Sequence, residues 1–431
     1  MPSTKTEIDK SSLDSVNLRK NFIWNLIGST ASAFVSLFYM MIVTRLNGVD
    51  YAGIFSFAFS TAAFFLVIGT YSGRTFQVTD KNKRTTDSDY FYLKAVTCAI
   101  MLLVGLTFCF LRGYSGDKFI IIMFLIVFRA LETIAECAYA VIQKKDRLYQ
   151  VGQSMFIKAV GSLVGFFIVD YFTHNVTLAC TMIIVANLLP IIFFDLPRLF
   201  RTGFHFGGIN AWRIWYLLKI GFFTFGFTFL NLYIINATRY ALDSTSSDSV
   251  QTIYGIIAMP ATVLSLVGQY LIQPFLTNFK KFFATDAYKF QNLVFKLCLA
   301  LLGIGLICIG AAALLGIPVL ELLYAVDLNG NELGLIFVII GGIFNALVLI
   351  ISTALVTMRR TSDQFWIYCI ASLAALVLSN ILVGSSGIFG AYLGYMLSMI
   401  ILFVIYIGVF LYRLHEFKNN PDQEVQRATR E

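Results

Sequence analysis

The feature that most constrains this chain is a series of apolar segments, each about as long as a lipid bilayer is thick. A helix needs about 20 mostly apolar residues to cross the hydrocarbon core. By that ruler the sequence holds twelve runs, starting near Asn21, Val49, Tyr90, Lys118, Val151, Val176, Trp215, Val250, Lys289, Gly330, Asp363 and Ile388. Charged residues are only 13% of the 431 positions, about half the share of a soluble domain. The spacing predicts an all-α membrane protein with twelve transmembrane helices, not a soluble enzyme. The first 20 residues are polar and lack the charged-then-apolar layout of a cleavable leader, so the first apolar run is expected to stay as a span.

Lys and Arg accumulate in cytoplasmic loops. With the N-terminus placed inside, 25 of the 32 Lys and Arg residues fall in inside segments. Four (Arg45, Arg112, Lys118 and Arg239) fall outside, and Lys94, Arg129 and Lys158 fall within spans. Both termini are therefore expected in the cytoplasm. The net charge of +8 then follows from topology and attraction to anionic membrane lipids, and no nucleic-acid partner is needed to explain it.

The inside connection between spans 6 and 7 mixes cations with aromatics and divides the chain into two six-helix lobes. The expected organisation is a cytoplasmic segment 1–20, an N-lobe 21–196, a hinge-bearing surface linker 197–214, a C-lobe 215–412 and a cytoplasmic tail 413–431. A short echo relates the halves. Thr44-Arg45 before Tyr51-Ala52-Gly53-Ile54 parallels Thr238-Arg239 before Tyr254-Gly255-Ile256. Transporters commonly place their substrate between two such halves.

Charges inside a span are costly and should face protein or water. Arg129, Glu132 and Glu136 share one face of span 4 at offsets of three and seven, and Lys158 sits in span 5 between Ser154 and Ser162. Two readings stand: an internal salt-bridge cluster that locks spans 4 and 5, or the wall of a hydrated cavity that binds charge or relays ions. Hydroxyl and amide stripes add to the pattern. Asn21, Asn25 and Ser36 lie along span 1, Thr228 and Asn231 along span 7, and Gln251, Tyr254, Ser265 and Gln269 along span 8. Each stripe alone suits ordinary helix packing, whereas together they suggest a polar cavity shared by the halves. Pro260 is expected to kink span 8.

Other chemistries lack their residues. The seven cysteines lie in apolar runs without a CxxC pair, and three scattered histidines do not make a metal site. No GxxxxGK[ST] loop is present to hydrolyse a nucleotide. No catalytic residues and no cofactor are expected, beyond a coupling proton or sodium ion.

Residues 21–95 resemble the N-terminal part of Wzx-type flippases of the multidrug/oligosaccharidyl-lipid/polysaccharide exporter (MOP) superfamily. The matching stretches are Asn25-Leu26-Ile27-Gly28-Ser29, Arg45-Leu46-Asn47-Gly48 leading into Tyr51-Ala52-Gly53-Ile54, and the loop Tyr71 to Asp80. That loop carries an aromatic-Gln-x-x-Asp segment, Phe76-Gln77-Val78-Thr79-Asp80, before the Tyr-rich start of span 3. The resemblance implies a MATE-like, alternating-access fold and a substrate, an undecaprenyl-diphosphate-linked oligosaccharide moved to the outer leaflet of the cell membrane. Because the chain ends after span 12, the longer peptidoglycan-precursor branch is not expected.

A diphosphate calls for cations. Arg45, Arg74, Arg129, Lys158 and Arg239 are the candidates, with Asn25, Asn231 and Gln269 for the sugar. Arg45 and Arg239 have an equal alternative as snorkelling residues at span ends. Glu132, Glu136 and Asp170 are candidates for ion coupling, and Asp80 for a gate or structural loop. The rival functions are a cation-coupled multidrug antiporter of the same superfamily and a non-transport membrane partner in a glycan pathway. A polysaccharide polymerase is a further conceivable partner.

Overall fold

The computed structural model describes residues 3–71, 73–80 and 84–419, with side chains described from residue 19 onward except those of Thr75 and Thr79. Among the described residues there is no strand. Among the described residues, nine helices are long and apolar enough to cross a membrane. Two of these hold two spans each, because Ser3–Thr70 breaks at Gly48 and Thr361–Asn419 breaks at Gly387. Gly116–Lys144 has the length of a span, but Arg129, Glu132 and Glu136 lower its hydropathy. Counting it, the twelve expected spans are present.

Spans 1 and 2 are residues 19–47 and 49–70, and spans 3 to 5 are Asp87–Arg112, Gly116–Lys144 and Leu148–Thr173. Span 6 is Val176–Phe200, span 7 Ala211–Thr245 and span 8 Asp248–Ile272. Span 9 is Ala287–Tyr324, span 10 Glu332–Thr357, and spans 11 and 12 are residues 361–386 and 388–419. Pro260 lies in an uninterrupted α-helix, and the backbone departs from α geometry only beyond it, at Gln273–Phe275.

Local sequence sets the helix ends. Thr86 and Asp89 form a capping box at the start of span 3. Asn175 accepts from the Leu178 amide at 3.0 Å to open span 6. Asp286 accepts from the Tyr288 and Lys289 amides at 2.9 and 3.1 Å to open span 9. The Lys289 amide in particular holds the Asp286 carboxyl below the usual carboxylate range. Gly48 reverses the chain at φ 84°, ψ −178°, a combination open essentially to glycine alone.

Large apolar side chains point outward in numbers that water would not tolerate. Leu111, Ile307 and Leu314 are 82%, 73% and 80% exposed, as expected of surfaces that face lipid. Lipid is as apolar as leucine, so helices in it associate by close packing rather than by hydrophobic burial. Gly28 of span 1 and Gly152 of span 5 meet so closely that a Cβ on either would strike the other's helix backbone. Beside this crossing, Ala135, Tyr139, Ile142, Val151 and Ile191 form a buried cluster.

The chain divides into two compact units, Met1–Tyr51 with Ala58–Phe225, and Ala52–Phe57 with Gly226–Glu431. The expected linker lies in the first unit and is anchored there. Arg198 donates to the Gln150 carbonyl at 3.0 Å and to Gln153 Oε1 at 3.2 Å. Tyr92 donates to the Gly207 carbonyl at 2.6 Å, and Phe91 packs on Phe204 at 5.0 Å between centroids. In the second unit, Gly342 of span 10 lies against Ala261 of span 8, and Gly341 against Tyr395 of span 12.

Candidate functional site

A cavity of about 210 Å³ opens within the first unit, among spans 1, 2, 4, 5 and 6. Its polar wall comes from Ser32, Ser36 and Tyr39 of span 1, Arg129, Glu132, Glu136 and Tyr139 of span 4, Lys158 and Ser162 of span 5, and Asn187 of span 6. Helical periodicity explains the convergence on span 4, because offsets of three, seven and ten from Arg129 fall on one face. Tyr39 donates to Ser162 Oγ at 2.6 Å and fixes span 1 against span 5.

The charges are paired with care. Arg129 Nη1 lies 2.6 Å from Glu132 Oε2, and its guanidinium lies 4.8 Å from the Phe59 ring centroid. Lys158 Nζ lies 2.5 Å from Asp195 Oδ2 and donates to the Tyr139 hydroxyl at 2.8 Å. The wall therefore differs from the Arg129–Lys158–Glu132–Glu136 cluster drawn from sequence, because the carboxylate that takes Lys158 belongs to span 6. Glu136 makes no ion pair or hydrogen bond among the described residues. It lies in the fields of Arg74, Glu132, Lys94 and Lys158. The cavity wall is balanced rather than net cationic.

Asp195 was not legible in the sequence as a partner of Lys158. In a regular α-helix it lies about 80° away from Asn187 around span 6. Pro190 is followed by a π turn over Ile191–Asp195, which absorbs one residue and brings the two positions to within about 20°. Helical phase alone hides the pair.

The other candidate residues are dispersed. Arg74 is half-buried, with an Nη1 that has no hydrogen-bond partner among the described residues. Arg45 is exposed at the end of span 1, and Asn25 is half-buried and does not line the cavity. Asp170 is buried and accepts from Asn47 Nδ2 at 2.6 Å, away from the cavity. Asp80 accepts from Thr85 Oγ1 at 2.7 Å and from the Tyr90 hydroxyl at 2.6 Å, while Gln77 Nε2 donates to Asp87 at 3.1 Å.

In the second unit, Arg239 is buried and donates to Ser56, which separates it from a snorkelling residue at a lipid-facing end. The Thr238 hydroxyl meets the Tyr254 hydroxyl at 2.7 Å, and Gln251 donates to the Arg239 carbonyl at 2.9 Å. These contacts use up the first part of the span 8 stripe in packing. Further along, Gln269 is exposed, and Asn231 is half-buried with an Oδ1 that has no partner among the described residues.

No family model matches the chain. A capsular polysaccharide biosynthesis protein, CapF of Staphylococcus aureus, is 23% identical over 394 residues, which is 90% of this chain and 98% of that protein. Among solved structures, the lipid II flippase MurJ in an inward closed conformation superposes with a TM-score of 0.70 at 14% identity, covering 93% of this chain and 90% of that one. An inward-facing MATE family multidrug resistance transporter of the MOP superfamily gives 0.69 at 10% identity, over 90% and 96%. The bent form of the Vibrio cholerae MATE transporter VcmN gives 0.62 at 14%, over 93% and 98%. The resemblance read from residues 21–95 agrees with both kinds of relative. The chain is a multi-pass membrane protein by its apolar helices, with the fold that these MurJ and MATE transporter structures share.

Proposed function

We propose that the protein translocates an undecaprenyl-diphosphate-linked oligosaccharide from the cytoplasmic to the outer leaflet of the cell membrane, for assembly of a surface polysaccharide. The observation that carries this reading is the cavity of the first unit, where Arg129 and Lys158 stand among the hydroxyls of Ser32, Ser36 and Ser162. Guanidinium and ammonium groups suit phosphate oxygens, and hydroxyls suit sugar. The similarity to CapF over 90% of this chain supports a role in polysaccharide export. The prenyl tail would remain in lipid while the polar head passes by alternating access, with both termini cytoplasmic as the distribution of Lys and Arg implies. A polysaccharide polymerase would take the product on the outer side.

The test is complementation of a strain lacking this gene, with surface polysaccharide measured at matched expression. Arg129→Ala and Lys158→Ala are expected to cut polysaccharide to a small fraction of the native level. Full assembly by both variants would remove the cationic site from the account.

A second reading has one observation in its favour. Glu136, without an ion pair among the described residues, is a carboxylate of the kind that binds a cationic drug or a coupling cation. Efflux of a cationic dye from cells expressing the protein, against the null strain, separates drug export from ion coupling.

A further inference from the structure

The two cations of the cavity are held differently. Arg129 is tied to a residue of its own helix, Glu132, whose side chain is 37% exposed. Lys158 is tied to a residue of the next span, Asp195, and both side chains are deeply buried, at 9% and 2% exposure. Lys158 lines the cavity and Asp195 does not. The carboxylate therefore pairs with the ammonium without itself forming part of the cavity lining. An ammonium has three protons to donate. Asp195 and the Tyr139 hydroxyl take two of them, and the third is left for a ligand.

That geometry has a consequence for any anion that enters. A bare ammonium in a site of low dielectric would hold a diphosphate far more tightly than a transporter can allow, since the ligand must also leave. A carboxylate 2.5 Å from the ammonium cancels most of its field, so the anion meets an attenuated charge. The π turn after Pro190, which brings Asp195 into phase with the cavity face, is an irregularity of the kind often found at functional sites.

We propose that Asp195 is a positioning and affinity-setting residue: it competes with the anionic headgroup for Lys158 and keeps that headgroup's binding weak enough for release. This rests on the headgroup reading above and adds the residue that limits affinity.

The test is titration of farnesyl diphosphate into the purified full-length protein in detergent, at one fixed salt concentration, with thermal unfolding followed in parallel. Asp195→Asn is expected to bind about fivefold or more tightly than the native protein, because it removes the competing charge and leaves Lys158 seeking a partner. Lys158→Gln is expected to bind weakly, and the double variant to match Lys158→Gln, because Asp195 acts through Lys158. A merely structural role would weaken binding on loss of Asp195 and could not tighten it. Asp195→Glu keeps the charge and is expected to bind as the native protein does.

The proposal is overturned by folded Asp195→Asn protein that binds no tighter than native, by tightening that survives in the double variant, or by Asp195→Glu tightening as the Asn variant does. If the native protein binds the probe and Lys158→Gln weakens it while Asp195 variants change nothing, the headgroup reading stands and this inference alone fails. If neither the native protein nor Asp195→Asn binds the probe, both fall together.

Discussion

Arg239 Nη1 donates to both the carbonyl and the hydroxyl of Ser56, at 2.9 and 3.1 Å, across 183 positions of sequence. Arg239 is 8% exposed, and its guanidinium lies 5.6 Å from the ring centroid of Tyr254. It thus fastens residues 52–57 to spans 7 and 8 within the second unit. Arg239→Met strips a buried donor from two oxygens and should lower stability by about 1–3 kcal/mol. Arg239→Lys should restore little of it, because a point charge cannot reproduce the planar fork. The thermal unfolding midpoint in detergent measures this. Affinity for farnesyl diphosphate should stay unchanged in both variants, and a loss of affinity without a loss of stability would return Arg239 to the substrate site.

The loop before span 3 is held in the same manner. Asp80 accepts two hydroxyl hydrogen bonds, from Thr85 and Tyr90, at 2.7 and 2.6 Å. Asp80→Ala leaves both hydroxyls without this acceptor, and it should destabilise the protein by about 1–3 kcal/mol. Tyr90→Phe should cost a part of that. Both variants should retain farnesyl diphosphate binding, measured by titration, since neither residue lines the cavity. Loss of binding at native stability would instead make Asp80 part of a gate.

The twelve spans could be read from sequence because lipid imposes a length and a polarity on each crossing. Arg129, Glu132 and Glu136 were legible as one wall because helical phase is a local property. The fate of Arg239 and of the span 8 stripe was not, since Tyr254 and Gln251 look alike whether they face water or pack on Thr238 and the Arg239 carbonyl. Asp195 was hidden by the π turn, which shifts the phase after Pro190. The anchoring of residues 197–214 was not legible either, because Arg198 and Tyr92 make it through backbone carbonyls that carry no residue-specific signal.

Gly48 offers a test of backbone alone. Beyond its own stretch of backbone, nothing lies within 4 Å of the position a Cβ would take there, so a side chain meets no packing clash. The strain comes only from φ 84° and ψ −178°, which should make Gly48→Ala destabilising by about 1–3 kcal/mol. Thermal unfolding is again the measurement. An alanine variant as stable as native would show that the chain reversal between spans 1 and 2 can relax into an ordinary conformation.

Glu132 and Glu136 share a helical face, but among the described residues only Glu132 has a fixed cationic partner, 2.6 Å away. Removing Glu132 should therefore act mainly through Arg129, which loses its carboxylate while 11% exposed, and thermal stability should fall. Glu136 lines the cavity without an ion pair among the described residues, so it can accept a proton or a sodium ion without first breaking one. In proteoliposomes carrying a fluorescent prenyl diphosphate, Glu136→Gln should reduce gradient-driven flux to the rate seen without a gradient. Glu132→Gln should lower the rate yet keep its response to the gradient. Imposing pH and sodium gradients separately identifies the ion. A Glu136→Gln protein that still responds to the gradient would move coupling elsewhere, and Asp170, paired to Asn47 at 2.6 Å outside the cavity, would then be the carboxylate to change next.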